Sequence, residues 1–295
     1  MIIAKIKAGL GNQLFCYAAA YALARENHTG LRLDKIGYQT AEFWPRKYQL
    51  KLFRLYEPKV VLHGGKIHHL SKAYFQTVKR AALSFHARWL RLRYHPELVA
   101  EKQNYHYEKI PVEAGKNYYL DGYWQHFRYF DAYRDDVLAQ YQLKTMSAAA
   151  HALCERAQKD KPIMLHVRRT DYAHYKGGKL MDIAYYRQAL SILRDQYGRT
   201  NPVWIFSDDI AFCKRAFRDD GQAVYPCESY SISDAEELMV MSSCRDFIIA
   251  NSSFSWWAAY LGRAADKQVI APIVDQWNAE IYPESWIALN AQLRR

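Results

Sequence analysis

The sequence predicts an α/β protein with two lobes, each built around a Rossmann-like parallel sheet. In the second half, three short apolar runs each end in a polar cluster, and helical segments separate them. This alternation is typical of parallel strands that are covered on both faces. The first half opens similarly, since an Ile-rich run leads into two glycines and an Ala-rich helical segment. The 295 residues suit two units of about 150 residues each.

The first lobe is predicted to span residues 1–158. Residues 1–6 form an apolar strand, and a turn with Gly9 and Gly11 leads into a helix over 13–25. The remaining predicted elements are an amphipathic helix over 72–93, a strand over 118–125 and a helix over 147–158. The lobe therefore begins as a strand, a glycine turn and a helix.

The second lobe is predicted to span residues 159–295, after a short polar hinge at 159–162. Its predicted strands cover 163–167, 203–206, 247–250 and 269–271, and its helices cover 183–194, 210–217 and 235–242. The tail from Tyr282 is predicted to be helical. Ligands of open parallel sheets collect beyond the carboxyl ends of the strands, so we expect the polar clusters there to meet.

Composition narrows the class of protein. The chain has 41 Lys and Arg residues and 30 Asp and Glu residues, so its net charge is 41 − 30 = +11. A positive charge of this size allows nucleic acid, an anionic membrane or a phosphorylated ligand as partner. Five cysteines without a C-x-x-C pair predict neither a disulfide framework nor a zinc site, as in a reducing cytosol. The apolar stretch 14–24 is too short to span a membrane and lacks the charged start of a signal peptide. We expect a cytoplasmic protein.

The segment HVRRTDY (166–172) places two arginines just after a predicted strand. An arginine fork matches two phosphate oxygens at once, which suits a diphosphate. Adjacent residues of an extended segment point to opposite faces, so one arginine should meet the phosphates and the other should brace a loop, with Asp171 as one partner for it. The alternative is an Arg–Asp network that caps the edge of the sheet.

Two further clusters follow later strands. Asp208 and Asp209 can accept hydrogen bonds from a purine or a ribose, and residues 251–255 (NSSFS) offer hydroxyl and N–H donors to phosphate. Helix capping is the alternative in both cases. The glycine turn (9–13) can face an anion with its N–H groups, or it can be an ordinary strand–helix turn. No D-x-D triplet occurs and the histidines lack metal-ligand spacing, so no metal is expected.

Taken together, these motifs resemble the bacterial α-1,2-fucosyltransferases of glycosyltransferase family 11. The resemblance covers AGLGNQLFCYA (8–18), GYWQ (122–125), HVRRTDY (166–172), SDD (207–209) and NSSFSWW (251–257). Three positions depart from the family pattern. Ala8 and Thr170 stand where glycine is usual, and His126-Phe127-Arg128 replaces Ser-Glu-Lys.

The resemblance implies a variant of the two-lobed GT-B fold with GDP-fucose in the cleft, and inversion at the anomeric carbon. Arg168 would contact the β-phosphate, and Asp171 is a candidate general base. The implied donor-binding set is Gly11, Asn12, Gln13, His166, Arg168, Arg169, Asp208, Asp209, Asn251, Ser252, Ser253 and Phe254. The acceptor would be a galactose-terminated oligosaccharide or a lipid-linked glycan, and no cofactor or metal would be needed.

Competing functions remain open from the sequence. The H-x-R-R-x-D segment is shared with α-1,6- and protein O-fucosyltransferases, whereas residues 251–257 favour the α-1,2 family. A nucleic-acid-binding module is a distant alternative, suggested by the net charge of +11 and the abundant aromatic residues. A lectin without turnover is another, but paired arginines at a strand end suit a diphosphate better than a neutral glycan. Residues 59–102 carry nine Lys or Arg against two Glu, a local charge of 9 − 2 = +7. The apolar face of helix 72–93 (Tyr74, Val78, Ala82, Phe85, Trp89, Leu92) is predicted to pack on the first lobe, which leaves Lys72, Lys79, Arg80 and Arg91 for peripheral contact with the inner membrane face.

Overall fold

The computed structural model describes residues 1–40, 42–43, 45–56, 59–60, 72–170, 180–275, 277 and 279–294, with backbone alone at 59–60 and 72–82. The chain forms two compact units, Met1–Tyr141 and Gln142–Arg295. Each unit is built around its own parallel sheet.

The sheet of the first unit has five parallel strands among the described residues. They are β1 (Ile2–Lys5), β2 (Leu31–Asp34), β3 (Lys59–Val60), β4 (Glu97–Ala100) and β5 (Tyr118–Asp121), in the spatial order β3-β2-β1-β5-β4. β1 is central because its residues are almost entirely apolar, and Ile2 and Ile3 are fully buried. β4 lies at one edge.

In the ranges that the structure describes, four helices accompany this sheet: α1 (Leu10–Glu26), α2 (Ile36–Gln39), α3 (Lys72–Tyr94) and α4 (Arg134–Gln140). α1 is buried on nearly all sides, which its run of alanines permits because small side chains allow close packing. Single 3-10 turns lie at Leu50–Leu52, Phe127–Tyr129 and Asp131–Tyr133.

The predicted packing face of α3 is right at Trp89, which packs against Ile3 and Leu90, and wrong at Phe85 and Leu92. Phe85 and Leu92 were assigned to the buried face, but they are 67% and 65% exposed, while His86 and Leu90 are buried. His86 Nε2 lies 2.6 Å from Asp34 Oδ2, and this buried polar contact turns a different stripe of the helix toward the sheet. The side chains of Lys72, Tyr74, Val78, Lys79, Arg80 and Ala82 lie outside the described residues.

Within the described part of the second unit, the sheet has six parallel strands: β6 (Ile163–Val167), β8 (Val203–Ser207), β9 (Ala223–Val224), β10 (Asp246–Ile248), β11 (Val269–Ile273) and β12 (Ile287–Asn290). Their spatial order is β12-β11-β10-β6-β8-β9. A separate antiparallel pair joins β7 (Leu180–Met181) to β13 (Leu293–Arg294). The central strands are fully buried, as their continuous apolar runs predict.

The helices described in the second unit are α5 (Ala148–Asp160), α6 (Ile183–Tyr197), α7 (Ile210–Ala216), α8 (Asp234–Ser242) and α9 (Ser253–Leu261), with a 3-10 turn at Ala279–Ile281. α5 packs on α8, and the backbone N–H of Ser147 donates to Glu236 Oε1 at 2.7 Å. The boundary between the units therefore falls before α5, at 141/142, and not at the predicted 158/159.

The predicted C-terminal helix is wrong. Residues 287–290 form β12, parallel to β11, and Leu293–Arg294 form β13. Side chains of β12 alternate between half-buried and exposed, which is the period of a strand with one covered face.

Candidate functional site

Three polar clusters follow neighbouring strands of the second sheet. β6 pairs with β10 on one side and with β8 on the other, and all three strands are parallel. Their carboxyl ends share one edge of the sheet, where the chain continues toward Arg168, Asp208 and Asn251. The sheet order thus brings the three predicted clusters to adjacent strand ends.

Asp208 organises the segment that follows β6. Its Oδ1 accepts a hydrogen bond from the Arg169 N–H at 2.9 Å, and its Oδ2 accepts from the Thr170 hydroxyl at 2.7 Å and N–H at 3.2 Å. The same Oδ2 lies 3.3 Å from Arg168 Nε. This carboxylate therefore ties the loop after β6 to the end of β8 and orients Arg168.

The two arginines have different surroundings. Arg169 Nε lies 3.2 Å from Asp209 Oδ2, and its guanidinium stacks over the ring of Phe212. Arg169 is thus the arginine that braces the loop, and it does so through Asp209 and Phe212. Asp171, the partner suggested by the sequence and the candidate base, lies outside the described residues.

Asp209 also caps α7. Its Oδ1 accepts from the Phe212 N–H at 3.0 Å, which satisfies one of the orphan donors in the first turn of that helix. The capping alternative left open by the sequence is therefore what the structure shows for Asp209.

The third cluster lies at the start of α9. Ser252 is the N-cap, and its hydroxyl accepts from the Phe254 N–H at 3.3 Å. Asn251 and Ser252 are buried, whereas Ser253 and Phe254 are half-buried. The ring of Phe254 lies 6.1 Å, centre to centre, from that of the buried His166 in β6. Two of the predicted donor-binding side chains, one from β6 and one from the first turn of α9, thus have neighbouring rings.

Glu237, in α8, was missed by sequence reasoning. Burial raises the pKa of its carboxyl to about 7, with Asp234 and Asp208 adding to the effect and Arg168 opposing it. Glu237 therefore lies within electrostatic range of Arg168 and Asp208. The sequence around it shows only a capping box, the S-x-x-E spacing of Ser233 and Glu236. That motif explains Glu236 and says nothing about the adjacent Glu237.

The glycine turn of the first unit is held by Gln13. The Gln13 side-chain amide donates to the carbonyls of Ala8 (3.0 Å) and Lys47 (2.8 Å), and its oxygen accepts from the Gln49 N–H at 2.8 Å. Ala8 has φ +54°, in the left-handed region that favours glycine, which is the residue usual here in the resembled family. Gln13 is fully buried and serves the shape of the turn, while Gly11 is buried in the first turn of α1.

The GYWQ segment meets the same turn. Gln125 Nε2 donates to Asn12 Oδ1 at 2.8 Å, so two motifs that lie more than a hundred residues apart in sequence are joined. The carboxylate of Glu101 accepts from the Tyr123 N–H at 2.7 Å and the Trp124 N–H at 3.0 Å, and it supports Trp124 in a left-handed conformation (φ +56°). A side chain at Gly122 would collide with Glu101. Glu101 is thus a second residue that sequence reasoning missed.

Among the residues that the structure describes, no group of three His, Cys, Asp or Glu side chains is arranged to hold a metal ion. In the same part of the chain, no helix combines the length and the apolar character needed to cross a bilayer.

The chain has two units with parallel sheets, and in the second unit arginines, a histidine and a helix N-terminus lie at the strand ends. This is a fold of the GT-B type. The chain belongs to glycosyl transferase family 11, whose model matches residues 65–290. Bradyrhizobium NodZ, an α-1,6-fucosyltransferase crystallised with GDP, has a similar fold, with a TM-score of 0.51 and 14% identity over 88% of this chain and 91% of NodZ.

The curated relatives extend along almost the whole chain. The O-antigen biosynthesis glycosyltransferase WbnK of Escherichia coli is 27% identical, with 96% of this chain and 99% of WbnK aligned. An α-1,2-colitosyltransferase of Escherichia coli is 25% identical over 98% of this chain and 99% of its own length. Galactoside α-(1,2)-fucosyltransferase 2 of Sus scrofa is 26% identical over 85% of this chain and 67% of its own length.

Proposed function

We propose that the protein transfers L-fucose from GDP-fucose to the 2-hydroxyl of a terminal galactose, with inversion at the anomeric carbon. The observation that carries the proposal is the placement of Arg168 at the end of β6. There Asp208 orients it, His166 lies near the end of the same strand, and the start of α9 follows the neighbouring strand β10. The acceptor we favour is a glycan of the O-antigen type, because WbnK, which aligns with nearly the whole chain, is named an O-antigen biosynthesis glycosyltransferase.

Arg168 is the residue we assign to the β-phosphate. A guanidinium held by Asp208 through Nε is fixed in plane, and a fixed fork can match two phosphate oxygens without further ordering. The N–H groups at the start of α9 add partial positive charge at the adjacent strand end. Together these groups supply a diphosphate site that consists of protein donors.

The guanosine and ribose are assigned to His166, Ser253 and Phe254. Phe254 is half-buried and its ring can pack on a flat base or on the ribose, while His166 lies behind it. Asp208 and Asp209 would act indirectly, because their oxygens are engaged with Thr170, Arg169 and Phe212.

In the reaction, the acceptor oxygen attacks the anomeric carbon from the side opposite GDP. The bond between that carbon and the β-phosphate oxygen breaks, GDP leaves with the electron pair, and the hydroxyl proton passes to a general base. The leaving group gains negative charge in the transition state, so Arg168 stabilises it more strongly there than in the ground state. One such donor lowers the activation barrier by about 3 kcal/mol. Asp171 remains our candidate for the base.

A second candidate donor is GDP-colitose, which is favoured by the colitosyltransferase relative. The α-1,2 linkage is supported by that relative and by the galactoside α-(1,2)-fucosyltransferase, whereas the likeness to NodZ concerns the fold alone. Transfer by α-1,6 linkage or to protein is therefore the weaker alternative.

A donor screen tests the proposal. The purified full chain is given GDP-fucose, GDP-colitose, GDP-mannose or a UDP-sugar, with and without lactose, and the free nucleotide and the product are measured. We expect GDP release that depends on both GDP-fucose and lactose, and a product whose new linkage is α-1,2 by NMR. Arg168→Ala should lower the release at least about a hundredfold, whereas Arg218→Ala, at an exposed position in the same unit, should leave it unchanged. The proposal would be contradicted if the protein used GDP-colitose but not GDP-fucose, or if it used none of the GDP-sugars.

A further inference from the structure

α3 and the edge strand β4 carry the three most exposed large apolar side chains of the described chain. Phe85 and Leu92 are 67% and 65% exposed, and Leu98 in β4 is 68% exposed. Phe85 and Leu92 are seven residues apart, so they lie within about 20° of each other on one stripe of the helix. Large apolar side chains are seldom left in water in such a group without a partner.

Leu98 extends this stripe onto the edge of the sheet. In the parallel pairing of β4 with β5, Leu98 lies opposite Tyr119, so the two side chains are on the same face of the sheet. Tyr119 packs beneath α3, and its hydroxyl donates to Asp34 Oδ2, which also contacts His86 of α3. Leu98 is therefore on the α3 side of the edge strand, next to the helix.

Exposed arginines border the apolar stripe. From Phe85, the helical spacing puts Arg88 and Arg91 on one flank of the stripe and Arg93 on the other, and all three are exposed. Glu97, the acidic residue of β4, is paired with Lys116 at 2.9 Å and does not offset them. The stretch 59–102 holds +7 of the chain's net +11.

We infer that the outer face of α3, together with β4, is a binding surface for an anionic phospholipid bilayer. An apolar stripe flanked by arginines suits a helix that lies in the interface, because the apolar side chains enter the acyl boundary while the guanidiniums meet lipid phosphates. The arginines call for a partner with negative charge, and Phe85, Leu92 and Leu98 call for one with an apolar region. An anionic bilayer offers both. The inference goes beyond the proposed transfer reaction and does not depend on the identity of the donor.

Co-sedimentation of the purified full chain with vesicles tests the inference. The vesicles contain phosphatidylcholine alone or with about one third phosphatidylglycerol, at low and at physiological salt. We expect binding to the anionic vesicles that weakens with salt, and little binding to the neutral ones. Phe85→Ser with Leu92→Ser should reduce binding at least about tenfold. Arg88→Gln with Arg91→Gln should reduce it about twenty-five-fold at low salt, since each arginine contributes about fivefold.

Matched controls remove similar groups from elsewhere on the surface. Tyr197→Ser with Tyr230→Ser takes away exposed apolar groups of the second unit, and Lys159→Gln with Arg215→Gln takes away two exposed charges. Both controls should bind as the parent does. Because the replaced side chains of α3 are exposed, unfolding in urea and transfer to soluble lactose should stay unchanged, so this test is separate from that of the reaction.

Three results would overturn the inference. The parent chain could fail to bind anionic vesicles at low salt, or the α3 variants could bind as tightly as the controls do. Alternatively, light scattering could show that the parent is a dimer that Phe85→Ser with Leu92→Ser converts to a monomer without any vesicle binding. In that last case the surface would be an interface with a second copy of the chain.

Discussion

The guanidinium carbon of Arg169 lies 3.5 Å from the centre of the Phe212 ring, in the first turn of α7. The neighbouring Arg168 instead pairs with Asp208 at the end of β8. Two adjacent arginines with the same charge are thus committed to different surroundings, one stacked on an aromatic ring and one beside the polar strand ends. This division predicts that they will respond differently to the same substitution.

For Arg168, we expect alanine to lower turnover with GDP-fucose at least about a hundredfold, because a donor aimed at the leaving group is lost. Lysine should be nearly as damaging, since a point charge cannot reproduce the planar fork. Steady-state rates of GDP release measure both effects. Turnover near that of the parent in Arg168→Ala would remove this residue from the leaving-group role.

For Arg169, we expect alanine to act mainly on stability. The substitution removes the contact with Asp209 and the stacking on Phe212, so the urea midpoint should fall while turnover changes much less than in Arg168→Ala. Urea denaturation followed by far-UV circular dichroism gives the midpoint. An unchanged midpoint together with abolished turnover would instead give Arg169 the phosphate role.

Glu237→Gln should change how stability depends on pH. The folded-state pKa of Glu237, about 7, is raised above the ordinary value of 4.5, so the folded chain binds this proton more tightly than the unfolded chain. The parent therefore loses stability as the pH rises from the ordinary range through about 7, and a glutamine does not titrate. We expect Glu237→Gln to raise the urea midpoint above neutral pH and to leave it nearly unchanged in acid.

The adjacent Glu236→Gln is the matched control for this experiment, because it has the opposite sign. Hydrogen bonds from the Ser233 and Ser147 backbones hold the pKa of Glu236 at about 2. Its contribution is present above the ordinary value of 4.5 and is lost as the pH falls toward 2. Glu236→Gln should lower the midpoint at neutral pH. A rise in both variants would mean that removal of negative charge from the acidic first turn of α8, and not burial of Glu237, sets the effect.

Transfer should survive excess EDTA. The chain has no D-x-D triplet, and we assign the charge of the leaving group to Arg168 and the start of α9. GDP release before and after extensive chelation is the measurement. A complete loss that Mn²⁺ or Mg²⁺ restores would contradict this expectation.

Ala8→Gly should be neutral or stabilising by up to about 1 kcal/mol, because glycine removes the left-handed strain at φ +54° but adds freedom to the unfolded chain. Ala87→Gly, at an exposed position inside α3, is the matched control and should cost about 1 kcal/mol. Equal losses in the two variants would show that the left-handed geometry at Ala8 carries no strain. Thermal or urea unfolding distinguishes these outcomes.

The sequence predicted the second unit better than the first. The continuous apolar runs of β6, β8 and β11 identify buried parallel strands without reference to any partner. β12 could not be found in that way, because its alternating pattern over four residues gains meaning only when it pairs with β11. The orientation of α3 also escaped prediction, since a buried contact between His86 and Asp34 overrode the apolar stripe.

For the site, the sequence located the motifs but not the direction of their side chains. The amino-acid sequence does not distinguish a polar side chain that contacts a ligand from one that hydrogen-bonds to neighbouring backbone. Asp209 and Gln13 both bind backbone groups. The different environments of Arg168 and Arg169 likewise depend on where β8 and α7 lie. Glu237 and Glu101 were missed because single acidic residues outside a motif carry no signal of burial.

The three hydrogen bonds of Gln13 mean that the glycine turn is preorganised. Ala8, Lys47 and Gln49 hold it from within the first unit, so its conformational entropy is surrendered during folding and not when a ligand arrives. A ligand that meets this turn would encounter a rigid surface and would lose little affinity to ordering it. Substitutions near Lys47, remote in sequence from the turn, would then weaken ligand binding by loosening the turn, without removing any atom that touches the ligand.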